Sequence, residues 1–395
     1  MYRRAVRRSM GGWRGLVAGL LLGATLVLTS LSLIYTRSAD LLLLTKEAAA
    51  GGPPLQRTAD QYTLPSLDDV LQGSSDLDFN RVLKHYRTQH QQVPANTPIV
   101  HIILASTWRS GSTLLGELLA AHPGVYYHYE PLMSYGVRQL TDNDADAVNS
   151  LLSDLFKCDY RHQEEYLRFA FVNSDVFARN SRLWSMCTAL PRSKCYAPDI
   201  LAKICALFPI HLAKLVRVRL SLLERQLKDP RIKIVWLVRD PRAVMNSRLS
   251  NVDWCKTSSC NDPATMCSSL YDDYITFLSF RDEFPNKVML MRYEDLAKDA
   301  YNKSRNVLEF AGLSLHPDVM TYLDGHLSTN VDVPWSTKHE PKATMSRWLK
   351  TMNWSEVLRV QQSCSHYMRA LGYRIFETPT DMISGNAVGL LNLPK

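Results

Sequence analysis

The stretch Arg109-Ser110-Gly111-Ser112-Thr113-Leu114-Leu115 directly follows the apolar run Ile99-Val100-His101-Ile102-Ile103-Leu104-Ala105. A buried strand feeding a Gly/Ser/Thr turn and then a helix-forming segment is how chains cradle a phosphate. The turn's backbone N–H groups and the helix N-terminus face the anion, and Arg109 adds full positive charge. Gly111 and Gly116 keep the glycine spacing of an NTP-binding loop, but Glu117 and Leu118 stand where that loop needs Lys and Ser/Thr. The missing lysine and Mg²⁺-holding hydroxyl argue against an ordinary NTPase or a nucleotide kinase. The loop suits a different phosphate donor.

A second constellation is Ile232-Lys233-Ile234-Val235-Trp236-Leu237-Val238 followed by Arg239-Asp240-Pro241-Arg242-Ala243-Val244-Met245-Asn246-Ser247-Arg248. Asp240 is a good N-cap and Pro241 a good first helical residue, so a helix opens as the strand ends. Arg239 then sits at the strand's carboxyl end, with Ser247 roughly 10 Å along the helix at about 1.5 Å per residue. A second phosphate fits between an arginine and a hydroxyl so placed; the alternative is an Arg239–carboxylate pair and a surface serine. Lys214, Arg217 and Arg219 lie on a candidate strand and suit either an anionic ligand or a solvated basic edge. The charges of Arg292-Tyr293-Glu294-Asp295 read as an internal ion pair supporting the site. Trp108, Tyr126, Tyr127 and Trp335 offer either sugar-stacking faces or packing.

The elements that must position these residues are strands at 99–105, 124–129, 212–218, 232–238 and 287–292, with helical patterns between most of them. Strands alternating with helices imply an α/β fold with a largely parallel sheet, in which ligands sit beyond the strands' carboxyl ends. The stretch 142–205 is polar, holds four cysteines and reads as a helical insertion. Residues 98–378 form the expected catalytic domain, and the tail 379–395 is uninformative.

Ahead of that domain, residues 37–97 read as a stem marked by the breaker run Ala48-Ala49-Ala50-Gly51-Gly52-Pro53-Pro54. Gly15 to Thr36 carries no charge and is long enough for a bilayer helix of about 20 residues. Arg3, Arg4, Arg7, Arg8 and Arg14 precede it without any acid, which favours a cytosolic tail at 1–14 and a translocated remainder. A cleaved signal peptide is the alternative, although the run exceeds a usual h-region. The 395-residue chain carries a formal charge of +8, and removing those five arginines leaves +3. That surplus fits a local anion site and no nucleic-acid surface.

Eight cysteines, at 158, 187, 195, 205, 255, 260, 267 and 364, lie on the expected lumenal side, where disulfides persist. Four bridges leave 105 pairings, with Cys255-x4-Cys260 inviting a local closure. No paired C-x2-C or Cys/His spacing indicates zinc, and no residue here calls for a metal. Asn302-Lys303-Ser304 and Asn353-Trp354-Ser355 are sequons compatible with the same compartment.

Two anion sites on one sheet ask for a donor with two separated phosphates. Arg109-Ser110-Gly111-Ser112-Thr113 resembles the 5′-phosphosulfate loop of Golgi carbohydrate sulfotransferases, and Arg239 through Arg248 resembles their 3′-phosphate motif. Tyr129-Glu130-Pro131-Leu132, Arg292-Tyr293-Glu294-Asp295-Leu296, Val360-Gln361-Gln362-Ser363-Cys364 and Leu371-Gly372-Tyr373 follow in the family's order. The resemblance covers about residues 98–376 and is closest to the branch acting on the 6-hydroxyl of Gal, GalNAc or GlcNAc. It implies a P-loop-like sulfotransferase fold using 3′-phosphoadenosine 5′-phosphosulfate (PAPS), without a metal. Arg109, Ser110, Gly111, Ser112, Thr113 and Leu114 would hold the phosphosulfate, Arg239 and Ser247 the 3′-phosphate, and Arg347 would close over the nucleotide.

The resemblance also gives Glu130 the position of the proposed catalytic carboxylate. Strand alternation puts His128 on the same face as Glu130 and makes it the alternative base. Arg109 replaces the lysine of the cytosolic branch, and arginine transfers a proton poorly, so its expected role is electrostatic. The implied protein is a single-pass type II Golgi membrane protein with a glycan or proteoglycan acceptor; self-association as a homodimer is left open. A catalytically inactive glycan-binding protein of the same fold is the non-enzymatic alternative.

Overall fold

The computed structural model describes residues 99–187, 190, 192–255, 259–327, 341–384 and 387. The expected cytosolic tail, the anchor at 15–36, the stem and nearly all of the sequence beyond 384 lie outside the described residues, as do Trp335, His339 and Glu340. Among the described residues, no helix is long and apolar enough to cross a membrane.

Five strands, β1 Val100–Ser106, β2 Val125–Tyr129, β3 Ile210–Leu215, β4 Ile232–Val238 and β5 Val288–Arg292, form one sheet in the order β2-β3-β1-β4-β5. Every pairing is parallel. The expected α/β architecture is therefore present, and its cause is visible in the strands themselves. Continuous apolar runs such as Ile102-Ile103-Leu104-Ala105 have two faces to bury. Ile102, Leu104, Leu212 and Leu237 pack on one face with Leu115 and Leu118 of helix Ser112–Ala120. Ile103, Ala213, Ile234 and Trp236 pack on the other with Phe277 and Val360 of helices Pro263–Glu283 and Trp354–Ala370.

One strand differs from its expected bounds. β3 runs from 210 to 215 and not from 212 to 218. Its start is set by both neighbours: Val100 N donates to Pro209 O at 3.2 Å, and Ile210 N donates to Gly124 O at 3.1 Å. Val216 and Val218 remain buried after the ladder ends, so hydrophobicity alone overextends the strand. In consequence Lys214 is on the strand, whereas Arg217 and Arg219 lie beyond it.

The stretch between β2 and β3 is a helical insertion, including Ala145–Phe156, Glu164–Val172, Ser181–Cys187 and Pro198–Cys205. Four disulfides join Cys158–Cys205, Cys187–Cys195, Cys255–Cys260 and Cys267–Cys364. The last one staples helix Pro263–Glu283 to helix Trp354–Ala370. Because all five strands run the same way, their carboxyl ends share one edge of the sheet. The loop at 107–111, Glu130, Arg217, Arg239 and Tyr293 all follow those ends.

Candidate active site

The phosphate-cradle loop has the backbone its sequence demands. Arg109 and Gly111 both adopt left-handed conformations, with φ of 72° and 90°. Gly111 occupies the N-cap of helix Ser112–Ala120 without any side-chain cap, so the first-turn N–H groups are left for a ligand. A β-carbon on Gly111 would lie 2.4 Å from the ring of Tyr293, so glycine is required here by contact as well as by φ. Ser110 is fully buried and its hydroxyl has no hydrogen-bond partner among the described residues. Thr113 and Leu114 are half-buried beside it.

The second motif meets the first directly. Arg109 Nε donates to Ser247 Oγ at 3.0 Å, and Arg239 Nη1 donates to the Arg109 carbonyl at 3.0 Å. The residues assigned to two phosphates thus form one continuous cationic surface. Arg239 lies 4.4 Å over the Tyr293 ring, donates through Nη2 to Thr344 O, and keeps a buried Nε without a hydrogen-bond partner among the described residues. Burial and the nearby Arg239 charge lower the pKa of Arg109. An anion entering between these arginines relieves that repulsion and meets the unpartnered Ser110 and Arg239 atoms. The chemistry of the cradle therefore fits an anionic donor.

The remaining motif residues are mostly support. Asp240 accepts from Arg242 N and holds the Arg242 guanidinium at 2.7 Å, while Arg242 is sandwiched against Trp348 and Phe376. Trp348 is accordingly core. Gln361 accepts from Arg242 and Phe376 N, and Tyr373 donates to Glu294, whose other oxygen accepts from Asp240 N. Burial and the Asp240 charge push the Glu294 carboxyl up to about 7. Arg292 pairs with Asp295 at 2.8 Å, the internal ion pair expected there. Arg347 is exposed at the start of helix Trp348–Thr351, and its charge acts on Tyr293. Arg248 is buried and ties the loop at Thr107 Oγ1 and Trp108 O to Cys260 O; burial and Arg109 lower it to about 9.

Glu130 departs from its expected setting. Its φ of 41° breaks the strand alternation after Tyr129, so it does not share the face of His128. Its carboxylate crosses to Lys214 Nζ at 2.6 Å and Arg217 Nη1 at 2.5 Å, both buried. Burial would raise this carboxyl, but the two cations overcome it and hold the pKa at about 2. Lys214 and Arg217 are thus not a solvated basic edge. Sequence reasoning placed them near an anion without naming Glu130 as that anion. Lys214 stands opposite Tyr129 in the β2–β3 register, a proximity visible only once the pairing is known.

His128 is buried against His211 and Phe156, and burial with the neighbouring histidines depresses its pKa, so it faces the core and not the cradle. Tyr126 and Tyr127 are also buried packing residues. Trp108 is 8% exposed, adjoins the cradle, and carries Arg217 and Arg248 each at 5.7 Å from its ring centre.

The model of the sulfotransferase family matches residues 101–317, from β1 through the helices after β5. The chain belongs to this family. Among related sulfotransferases, Carbohydrate sulfotransferase 5 of Mus musculus is 29% identical over 328 residues, covering 70% of this chain and 81% of that protein. Carbohydrate sulfotransferase 1 of Danio rerio is 27% identical over 336 residues, covering 71% and 80% respectively. Among solved structures, the sulfotransferase domain from the Synechococcus PCC 7002 olefin synthase is similar over 71% of this chain and 98% of that one, at 21% identity and a TM-score of 0.41. Retinol dehydratase in a complex with retinol and PAP is similar over 74% and 88%, at 16% identity and a TM-score of 0.39. The family expected from the ordered motifs is the family found.

Proposed function

We propose that this sulfotransferase moves a sulfuryl group from PAPS to a hydroxyl of a glycan, a 6-hydroxyl of Gal, GalNAc or GlcNAc, in the Golgi lumen, held to the membrane by its own helix at 15–36. The observation that carries the donor reading is the single cationic surface made by Arg109, Arg239 and Ser247 over the uncapped helix N-terminus. In this reading Ser110 to Leu114 and Arg109 hold the 5′ end, Arg239 and Ser247 hold the 3′-phosphate, and the segment around Thr344 and Arg347 covers it. The donor, when bound, supplies an electrophilic sulfuryl group on a phosphate leaving group. The relatives named as carbohydrate sulfotransferases support a carbohydrate acceptor. The charge-free anchor and the arginines before it support the type II orientation.

Glu130 is the proposed base, with a condition that its ion pairs impose. A carboxylate at about 2 is a weak proton acceptor at neutral pH. Lys214 and Arg217 are also the cations nearest to it, and anionic oxygens arriving at the site compete for them. As they turn toward those oxygens, Glu130 loses the charges that depress it and its proton affinity rises. Arg109 contributes charge stabilisation at the leaving phosphate, where positioning and electrostatics carry most of the catalysis.

The test is direct. Full-length protein in detergent is incubated with ³⁵S-labelled donor and galactose-, N-acetylgalactosamine- and N-acetylglucosamine-terminated acceptors, and PAP binding is measured in parallel. Label on a 6-hydroxyl is expected. PAP binding without transfer to any acceptor would favour the inactive glycan-binding alternative, and absence of both would end the donor reading.

A further inference from the structure

The face of the sheet beneath the helical insertion carries three buried histidines that the sulfuryl-transfer site does not use. His101 on β1, His128 on β2 and His211 on β3 are each at most 4% exposed. His101 and His211 are register partners, their rings meeting edge to face at 5.3 Å, and His211 stacks with His128 at 5.5 Å. Among the described residues, both buried ring nitrogens of His101 lack a hydrogen-bond partner. A hydrophobic core gains little from three imidazoles, and unmet polar atoms there call for a reason.

The disulfide Cys158–Cys205 lies against this cluster. Cys158 follows helix Ala145–Phe156 and Cys205 ends helix Pro198–Cys205, so the bridge ties these two helices of the insertion together. His211 Nδ1 is 3.3 Å from His128 Nε2 and 3.7 Å from Cys205 Sγ. Metal–nitrogen bonds of about 2.0–2.1 Å and metal–sulfur bonds of about 2.3 Å give tetrahedral edges of about 3.3 Å between two nitrogens and about 3.6 Å between nitrogen and sulfur. The three ligand atoms already lie within 4.8 Å of one another, and two of their separations match those edges.

The ring of His211 is oriented for ligation. Its Nε2 is 3.2 Å from the Phe208 carbonyl, which can only accept, so the proton sits on Nε2 and Nδ1 presents a lone pair. A carbonyl holding the far nitrogen is the usual support behind a metal-binding histidine. His128 presents its own lone pair at Nε2 when its proton is on Nδ1.

We propose that His128 Nε2, His211 Nδ1 and Cys205 Sγ form a latent site for a zinc-class divalent cation, closed by the Cys158–Cys205 disulfide and opened by its reduction. A phosphine or dithiol reductant supplies two electrons, the sulfur–sulfur bond breaks, and each sulfur takes up one proton. On metal binding the Cys205 thiol releases its proton to solvent. The cation then ties the end of helix Pro198–Cys205 to β2 and β3 through His128 and His211. Soft thiolate and imidazole ligands select zinc over magnesium or calcium.

The test uses Co²⁺ alone as the spectroscopic probe on full-length protein. Cys158→Ser frees the Cys205 thiol without any reductant, leaving the other cysteines paired. One Co²⁺ per chain is expected, with a sulfur-to-cobalt charge-transfer band and tetrahedral d–d bands that Zn²⁺ abolishes. Adding His211→Gln or His128→Gln to Cys158→Ser should remove the tetrahedral bands. Cys187→Ser, which frees Cys195 instead, should show none. A folded Cys158→Ser protein without these bands, bands that survive His211→Gln, or equal binding by Cys187→Ser would overturn the proposal. If Cys158→Ser does not fold, phosphine-reduced wild type replaces it: Zn²⁺ should raise its melting temperature and leave that of the oxidised protein unchanged, and no such rise overturns the proposal equally. None of these readouts depends on sulfuryl transfer.

Discussion

Glu130→Gln separates the two things this carboxylate does. In the folded protein its pKa is held at about 2, against an ordinary value of 4.5, by Lys214 and Arg217. That difference corresponds to about 3 kcal/mol of stability at neutral pH. The folded value is the lower one, so the contribution is fully present above pH 4.5 and is lost as the pH falls toward 2. Glutamine leaves two buried cations without their counter-charge, a loss of about 3–5 kcal/mol in comparable pairs. Adding Lys214→Met removes one of those cations and should return about 1–3 kcal/mol, the coupling expected of residues in contact. Turnover should behave differently: Glu130→Gln lowers it by about 10²–10⁴-fold, the usual yield of a general base. The double variant should not recover it. Urea denaturation at pH 7 and pH 3, PAP affinity by calorimetry and transfer of ³⁵S to acceptor read the three quantities separately. Equal stability of wild type and Glu130→Gln at pH 7 would refute the ion-pair reasoning. Recovered turnover in the double variant would refute the base and leave Glu130 as a holder of Lys214.

Three further outcomes follow from the same geometry. Gly111→Ala forces a β-carbon into the Tyr293 ring at a φ of 90°. Thermal or urea unfolding should show a loss of about 1–3 kcal/mol, with weaker PAP binding by calorimetry. Arg239→Lys loses the fork that spans the Arg109 and Thr344 carbonyls. It should weaken PAP about ten- to a hundredfold, while 5′-AMP, lacking the 3′-phosphate, binds as before; an equal loss for both ligands would move Arg239 out of the 3′ site. Glu294 has its folded pKa raised to about 7 from 4.5, chiefly by burial. Its raised value means the folded state holds the proton longer, so stability is highest below pH 4.5 and falls by about 3 kcal/mol as the pH rises to 7. Glu294→Gln should flatten that slope in pH-dependent unfolding, and an unchanged slope would assign it to another group.

Much of this protein was legible in its residues because local chemistry determined it. The 109–115 loop, Asp240 capping a helix that opens with Pro241, and doubly buried runs such as Ile102 to Ala105 depend on near neighbours in the chain. So does the Cys255–Cys260 closure. The tertiary structure decided what lies between distant segments. The overextended third strand shows why: Val216 and Val218 are as apolar as strand residues, and only the hydrogen bonds demanded by β1 and β2 set where the ladder begins. The same pairing put Lys214 opposite Tyr129, while a left-handed residue at 130 turned the carboxylate away from the face of His128. By itself the sequence determined an anion cradle and a carboxylate at a neighbouring strand end. Whether that carboxylate stood alone or between two buried cations depended on strand register and one backbone angle, and hydrophobic periodicity encodes neither.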